Sequence, residues 1–102
     1  MQAQELVRSI KAGKAPVVVD VRTGFEFKAG HIPGALHAPT WKILLRLAAL
    51  PPDKQSQLVV LCELGPRAAM AKGLLGVMGY KNIELLDGHM AGWRRAGLPL
   101  EK

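Results

Sequence analysis

Residues 58–68 read LVVLCELGPRA, and this stretch decides both the fold and the candidate chemistry. Leu58–Leu61 is an apolar run long enough for a strand that is buried on both faces. Cys62 follows at once, and a helix is predicted over residues 66–78, with a proline in its first turn. Ligands bind beyond the carboxyl ends of the strands in an open α/β sheet, so Cys62 is predicted to lie at a binding crevice.

The rest of the chain alternates helices and strands around that unit. Strands are predicted at 17–21, 58–61 and 83–86, and helices at 2–12, 26–30, 41–50, 66–78 and 90–96. This alternation predicts one α/β domain over residues 1–102, with a central, mainly parallel sheet of four or five strands and helices on both faces. At one edge of the sheet, either a strand is absent or residues 98–100 cover it. Gly73 and Gly76 are predicted to allow close packing of their helix on the sheet.

The composition is that of a small domain without a disulfide framework. Of 102 residues, 14 are Lys or Arg, 8 are Asp or Glu and one is Cys, so the net charge is +6. The basic residues are scattered and no aromatic residues interleave with them, which predicts a solvated surface that favours anionic ligands and no nucleic-acid partner. No apolar run approaches the ~18 residues of a membrane span, so no membrane partner is expected. The first residues lack the apolar segment of a signal peptide, and a cytoplasmic protein is expected.

Cys62 has the predicted surroundings of a nucleophile. A helix N-terminus directs unpaired N–H groups at whatever is bound to the sulfur, and it stabilises a thiolate. Arg67 adds a cation with a planar fork of donors for an oxyanion. The alternative is that Cys62 is a small buried apolar residue at the end of a strand, which is a common role of a free cysteine.

Three blocks of sequence, in order, resemble the single-domain rhodanese (thiosulfate sulfurtransferase-like) family. The first block is Asp20-Val21-Arg22, Glu26-Phe27 and Gly30-His31-Ile32-Pro33-Gly34-Ala35. The second is Cys62-x-x-Gly65-x-Arg67, and the third is Leu86-Asp87-Gly88, Trp93 and Ala96-Gly97-Leu98-Pro99. The resemblance implies the rhodanese-like three-layer fold and a sulfurtransferase. Such an enzyme moves sulfane sulfur from a small anionic donor (thiosulfate) or a persulfide to cyanide or a thiol, through a persulfide on the cysteine. It implies no metal and no organic cofactor.

The resemblance also assigns the site residues. Cys62 is the catalytic nucleophile, and the cradle of the persulfide is expected from the backbone N–H groups of four residues: Glu63, Leu64, Gly65 and Arg67. Three further residues are expected in supporting roles: Asp20, Arg22 and His37. Because the chain holds no second cysteine, the acceptor comes from outside, either as a small molecule or as a partner protein.

Two residues of the loop depart from the family pattern. Glu63 places a negative charge beside Cys62, which opposes an anionic donor by about 1–3 kcal/mol at roughly 6 Å and disfavours the thiolate. Pro66 removes one backbone N–H from the cradle. Together they predict weak turnover with thiosulfate and a persulfide as the true donor.

Two other functions stay open at this point. One is a binding or regulatory module that keeps the same fold without turnover. The other is a cysteine-dependent phosphatase or arsenate reductase, whose loops are Cys-x5-Arg in relatives of this fold. Here Arg67 lies five residues after Cys62, which is Cys-x4-Arg, and the shorter loop suits one sulfur atom better than a phosphate.

Overall fold

The computed structural model describes all 102 residues and is organised around a sheet of four parallel strands. In chain order these are β1 (Val17–Asp20), β2 (Leu36–His37), β3 (Leu58–Leu61) and β4 (Ile83–Leu85). Their order across the sheet is β2-β1-β3-β4, so the two four-residue strands β1 and β3 lie in the middle. The predicted α/β class with a parallel sheet is confirmed.

Five helices accompany this sheet. They are α1 (Ala3–Lys11), α2 (Gly24–Ala29), α3 (Thr40–Leu44), α4 (Pro66–Val77) and α5 (His89–Arg95). Four of them cover its two faces, whereas α2 buries no residue. Because side chains alternate along a strand, Val19 and Val60 pack with α3 and α4 on one face, while Val18 and Val59 pack with α1 and α5 on the other. None of the helices has the length and apolar character that a bilayer crossing requires.

The sheet has four strands, and its edge is not covered by the end of the chain. Glu101 instead forms an isolated antiparallel bridge with His31, outside the sheet. Strand β2 was not predicted, because two residues are too short to show a periodic pattern.

Two further expectations were wrong. Helix α3 ends at Leu44 rather than at residue 50, because Arg46 has a left-handed backbone with φ of 59°, which an α-helix does not tolerate. Gly73 and Gly76 are exposed, and a Cβ added at either residue would have no neighbouring atom within 4 Å, so they do not bring α4 close to the sheet.

Candidate active site

Cys62 follows β3 directly and lines an open cavity of about 270 Å³. The residue is only 1% exposed, so a reagent reaches its sulfur through this cavity. The other lining residues are Glu63, Leu64, Pro66 and Arg67, all from the loop and the first turn of α4. The structure therefore places the predicted nucleophile at the carboxyl edge of the sheet, where the sequence predicts it.

The loop after Cys62 offers backbone N–H groups as hydrogen-bond donors. The Gly65 N–H donates a hydrogen bond to the Cys62 Sγ atom over 3.0 Å. The N–H groups of Glu63, Leu64 and Arg67 donate to no other backbone group. These four are the donors that the resemblance assigns to the cradle, and three of them remain available for a further acceptor atom.

Helix α5 holds the loop in place from its outer side. The Met90 N–H donates to the Cys62 carbonyl over 3.1 Å, and the Ala91 N–H donates to the Glu63 carbonyl over 3.2 Å. Because these carbonyls are bound outside the loop, their peptide groups cannot turn without losing a hydrogen bond.

His89 is a residue of this site that the sequence analysis missed. Its Nδ1 atom accepts the Cys62 N–H over 3.3 Å, which puts the proton of the neutral ring on Nε2. Burial lowers the pKa of His89 below its usual range, although the Asp87 carboxylate opposes this effect. The available signal was its position directly after the Leu86-Asp87-Gly88 block.

Gly65 and His89 meet in two unusual backbone conformations. Gly65 has φ of +130°, and a Cβ added there lies 3.2 Å from the Nε2 atom of His89. His89 itself has φ of 51°, which is rare for a residue with a side chain. The imidazole thus occupies the space of a side chain at position 65, so only glycine fits this point of the loop.

Arg67 is bound by a carboxylate that the sequence analysis did not pair with it. Its Nη1 and Nη2 atoms donate to the two carboxylate oxygens of Glu26 over 2.6 and 3.0 Å. The hydrogen bond to Arg67 lowers the pKa of Glu26 to about 2, and the same contact raises the pKa of Arg67 above its usual range. The arginine fork expected to be free for an oxyanion is therefore already occupied by Glu26.

Glu63 also has cationic partners, which corrects the expectation that its charge confronts an incoming donor. Its Oε2 atom accepts a hydrogen bond from Arg94, and its Oε1 atom lies 3.6 Å from Nη1 of Arg22. Two positive charges compensate the carboxylate at short range, so its net effect on an anion is smaller than that of an unpaired charge.

Asp20 and Arg22 form a buried ion pair at the end of β1. The Nε and Nη2 atoms of Arg22 donate to the Asp20 carboxylate over 2.8–3.1 Å, and Nη2 also donates to the Gly30 carbonyl over 2.8 Å. Both side chains are at most 2% exposed. This geometry ties the strand end to the loop after α2, which is a positioning role.

His37 lies beside this ion pair. Its Nε2 atom is 2.8 Å from the Arg22 carbonyl, and its ring stacks on that of Phe27 with centroids 4.5 Å apart. The contacts of His37 are thus with the support of the site, and it does not line the cavity of Cys62. No group of three or more His, Cys, Asp and Glu side chains is placed to hold a metal ion.

Comparison with protein families and curated proteins gives a consistent result. The family model of the rhodanese-like domain matches residues 2–96. The chain is 36% identical over 84 residues to a sulfurtransferase of Allochromatium vinosum, which covers 82% of this chain and 77% of that protein. It is 33% identical over 86 residues to the thiosulfate sulfurtransferase PspE of Escherichia coli, covering 84% and 83% respectively.

A third relative is a longer protein of another kind. The chain is 37% identical over 100 residues to an HTH-type transcriptional regulator of Mycobacterium tuberculosis, which covers 96% of this chain. It spans only 42% of that regulator's length. The match therefore concerns one part of the regulator.

Solved structures show the same fold. The Alr3790 protein of Anabaena superposes with a TM-score of 0.88 at 27% identity, covering 99% of this chain and 81% of that one. A thiosulfate sulfurtransferase of Pseudomonas aeruginosa also gives 0.88, at 26% identity, covering all of this chain and 19% of that one.

Proposed function

The chain belongs to the rhodanese-like domain family, and from this premise we propose that Cys62 carries sulfane sulfur as a persulfide. The family and the names of two sulfurtransferase relatives support sulfurtransferase activity in general. The observation that carries the finer proposal is the loop geometry. The sulfur lines an open cavity, accepts the Gly65 N–H, and is followed by N–H groups that have no backbone acceptor.

The proposed cycle has two displacements at sulfur. In the first, the Cys62 thiolate attacks the outer sulfur of the donor, a new S–S bond forms, and the old S–S bond breaks. With thiosulfate the leaving group is sulfite, which takes the bonding electron pair. In the second, cyanide or a thiolate attacks the outer sulfur of the persulfide, and the Cys62 thiolate leaves.

The protein contributes electrostatic stabilisation to both steps. The outer sulfur of the persulfide is anionic, and the N–H groups of Glu63, Leu64 and Arg67 are the donors proposed to bind it. These dipoles are fixed before the reaction, since α5 holds the carbonyls of Cys62 and Glu63. No step requires a metal or an organic cofactor.

The donor that we propose is a persulfide rather than thiosulfate. Thiosulfate carries two negative charges, and each arginine near the loop is already paired with a carboxylate: Arg67 with Glu26, Arg94 with Glu63, and Arg22 with Asp20. A dianion gains a full arginine fork only by displacing one of these carboxylates, whereas a protonated persulfide group brings no charge to the loop and needs no such exchange. The weak thiosulfate turnover predicted from Glu63 and Pro66 is thus expected from the ion pairs as well.

Intact-protein mass spectrometry tests the cycle directly. We expect glutathione persulfide to add one sulfur atom to the protein faster than thiosulfate does, and cyanide to remove it. The Cys62→Ser variant is the control and must not gain sulfur. If neither donor loads sulfur onto the protein, the proposed function is contradicted. If thiosulfate loads it faster than glutathione persulfide does, the choice of donor is contradicted.

A cytoplasmic location stays a prediction.

A further inference from the structure

An apolar surface lies on helices α3 and α4, beside the cavity of Cys62. We call it the α3–α4 face and define it by five side chains: Trp41, Leu44, Met70, Leu74 and Val77. Leu44 is 63% exposed, Met70 55% and Val77 83%, and a groove of about 230 Å³ runs between the two helices. The solvent side of a helix is normally polar, so an apolar surface of this kind indicates a binding partner.

The two chain segments that build this face carry charges of one sign. Residues 35–52 and 64–82 contain no Asp or Glu at all, and they carry five basic residues: Lys42, Arg46, Arg67, Lys72 and Lys81. All but Arg67 lack an acidic partner within ion-pair distance. A second copy of this chain would bring like charges together, so self-association through this face is disfavoured. An acidic partner is complementary to it.

Helix α4 connects the α3–α4 face to the reactive cysteine. Pro66 lines the cavity of Cys62, and Met70 lines the groove. These two residues are four positions apart, so they lie about 6 Å apart along the helix axis and on the same side of it. Leu64, which is exposed, adds an apolar side chain at the wall of the Cys62 cavity. A protein seated in the groove thus has Cys62 within reach of its own side chains.

We propose that the α3–α4 face docks a protein that exchanges sulfur with Cys62. The chemistry of that partner is an apolar anchor flanked by Asp or Glu, with a thiol that enters the cavity of Cys62. The exchange rests on the proposed function, whereas the docking does not. A surface of anionic lipids has the same negative charge as an acidic protein, but it offers no apolar side chain that fills a concave groove. The geometry therefore favours a protein as the partner.

Binding is tested with a peptide probe and the Cys62→Ser chain. The probe is a synthetic helical peptide with one cysteine, two leucines and flanking glutamates, and its matched control has glutamine at every glutamate. Trp41 is exposed in the groove while Trp93 is buried, so a change in tryptophan fluorescence reports occupation of the face. We expect the acidic peptide to bind about tenfold more tightly than its control.

Variants of exposed residues locate the binding. Met70→Glu and Lys72→Glu are expected to weaken the acidic peptide about tenfold each, because one places a charge in the groove and the other removes an attractive one. Lys14→Glu is the matched control, since Lys14 is exposed and follows α1, which packs on the other face of the sheet from α3 and α4. Equal binding of the two peptides, or an equal effect of Lys14→Glu, overturns the proposal. Binding to phosphatidylserine vesicles but not to the peptide also overturns it.

A sulfur-transfer assay distinguishes failure of the docking proposal from failure of the proposed function. With Cys62 loaded as a persulfide, Met70→Glu is expected to slow transfer to the acidic peptide about tenfold and to leave transfer to cyanide unchanged. Peptide binding by a chain whose Cys62 never loads sulfur refutes the function and leaves the docking in place. Normal transfer to cyanide with no preference for the acidic peptide refutes the docking alone.

Discussion

Glu26→Gln removes the acidic partner of Arg67, and the structure sets the size of the effect. The contact lowers the pKa of Glu26 from 4.5 to about 2. A full conversion at ~1.4 kcal/mol per pH unit gives about 3–4 kcal/mol of folding free energy, to which the hydrogen bonds with Thr23 also contribute. The Arg67 side chain is 37% exposed, so solvent screens the pair and we expect the variant to lose about 1–2 kcal/mol.

This loss depends on pH in a defined direction. Because the pKa of Glu26 is lower in the folded protein, the ionised carboxylate stabilises the fold above the unfolded pKa near 4.5. This contribution to the free energy of unfolding decreases as the pH falls from 4.5 towards the folded-state pKa of about 2, and it is gone below that value. Urea unfolding of the parent protein and of Glu26→Gln, at a series of pH values from 7 to 2, measures the difference in their free energies of unfolding.

A functional change accompanies the loss of stability. Glu26→Gln frees the guanidinium of Arg67, so the KM for thiosulfate is expected to fall about fivefold while transfer from glutathione persulfide changes little. Glu5→Gln is the matched control, since Glu5 is exposed and has no ion pair, and it should stay within ~0.5 kcal/mol of the parent. A stability difference that does not change with pH, or a KM that rises, refutes the reasoning.

Three further substitutions test the geometry of the loop. Gly65→Ala is expected to cost about 1–3 kcal/mol and most of the turnover, measured by urea unfolding and a sulfur-transfer assay, whereas Gly73→Ala, in open space, should be neutral or slightly stabilising. Arg94→Ala exposes the charge of Glu63 and should raise the KM for thiosulfate several-fold, an effect that added Glu63→Gln should reverse. Asp20→Asn leaves the buried guanidinium of Arg22 with only the more distant Glu63 carboxylate, at 3.6 Å, as counter-charge, and should cost about 3–5 kcal/mol in urea unfolding; a loss below ~1 kcal/mol contradicts the assigned role.

The predictable part of the fold is local in sequence. Strand β3 is a continuous apolar run, β1 is one up to Asp20, and α4 begins at a proline after a short loop, so the placement of Cys62 follows from adjacent residues. Helix α3 and strand β2 span only five and two residues, and such short elements are set by their neighbours in space.

The unpredictable part of the site depends on contacts between distant residues. Glu26 and Arg67 are 41 positions apart, and Glu63 and Arg94 are 31 apart. No local pattern indicates which carboxylate an arginine will meet, so the sequence does not predict these ion pairs. His89 escaped notice for the same reason, since its ring acts on a cysteine 27 positions earlier.

The distribution of charge separates chemistry from recognition in this molecule. The net charge of +6 does not reside at the reactive centre, because three arginines there face three carboxylates: Asp20, Glu26 and Glu63. In the proposed cycle, stabilisation of the anionic sulfur is left to backbone N–H groups, whose dipoles act only at contact distance. Long-range attraction of the proposed partner is left to the basic residues that flank the α3–α4 face. Added salt should therefore weaken exchange with an acidic protein much more than exchange with cyanide.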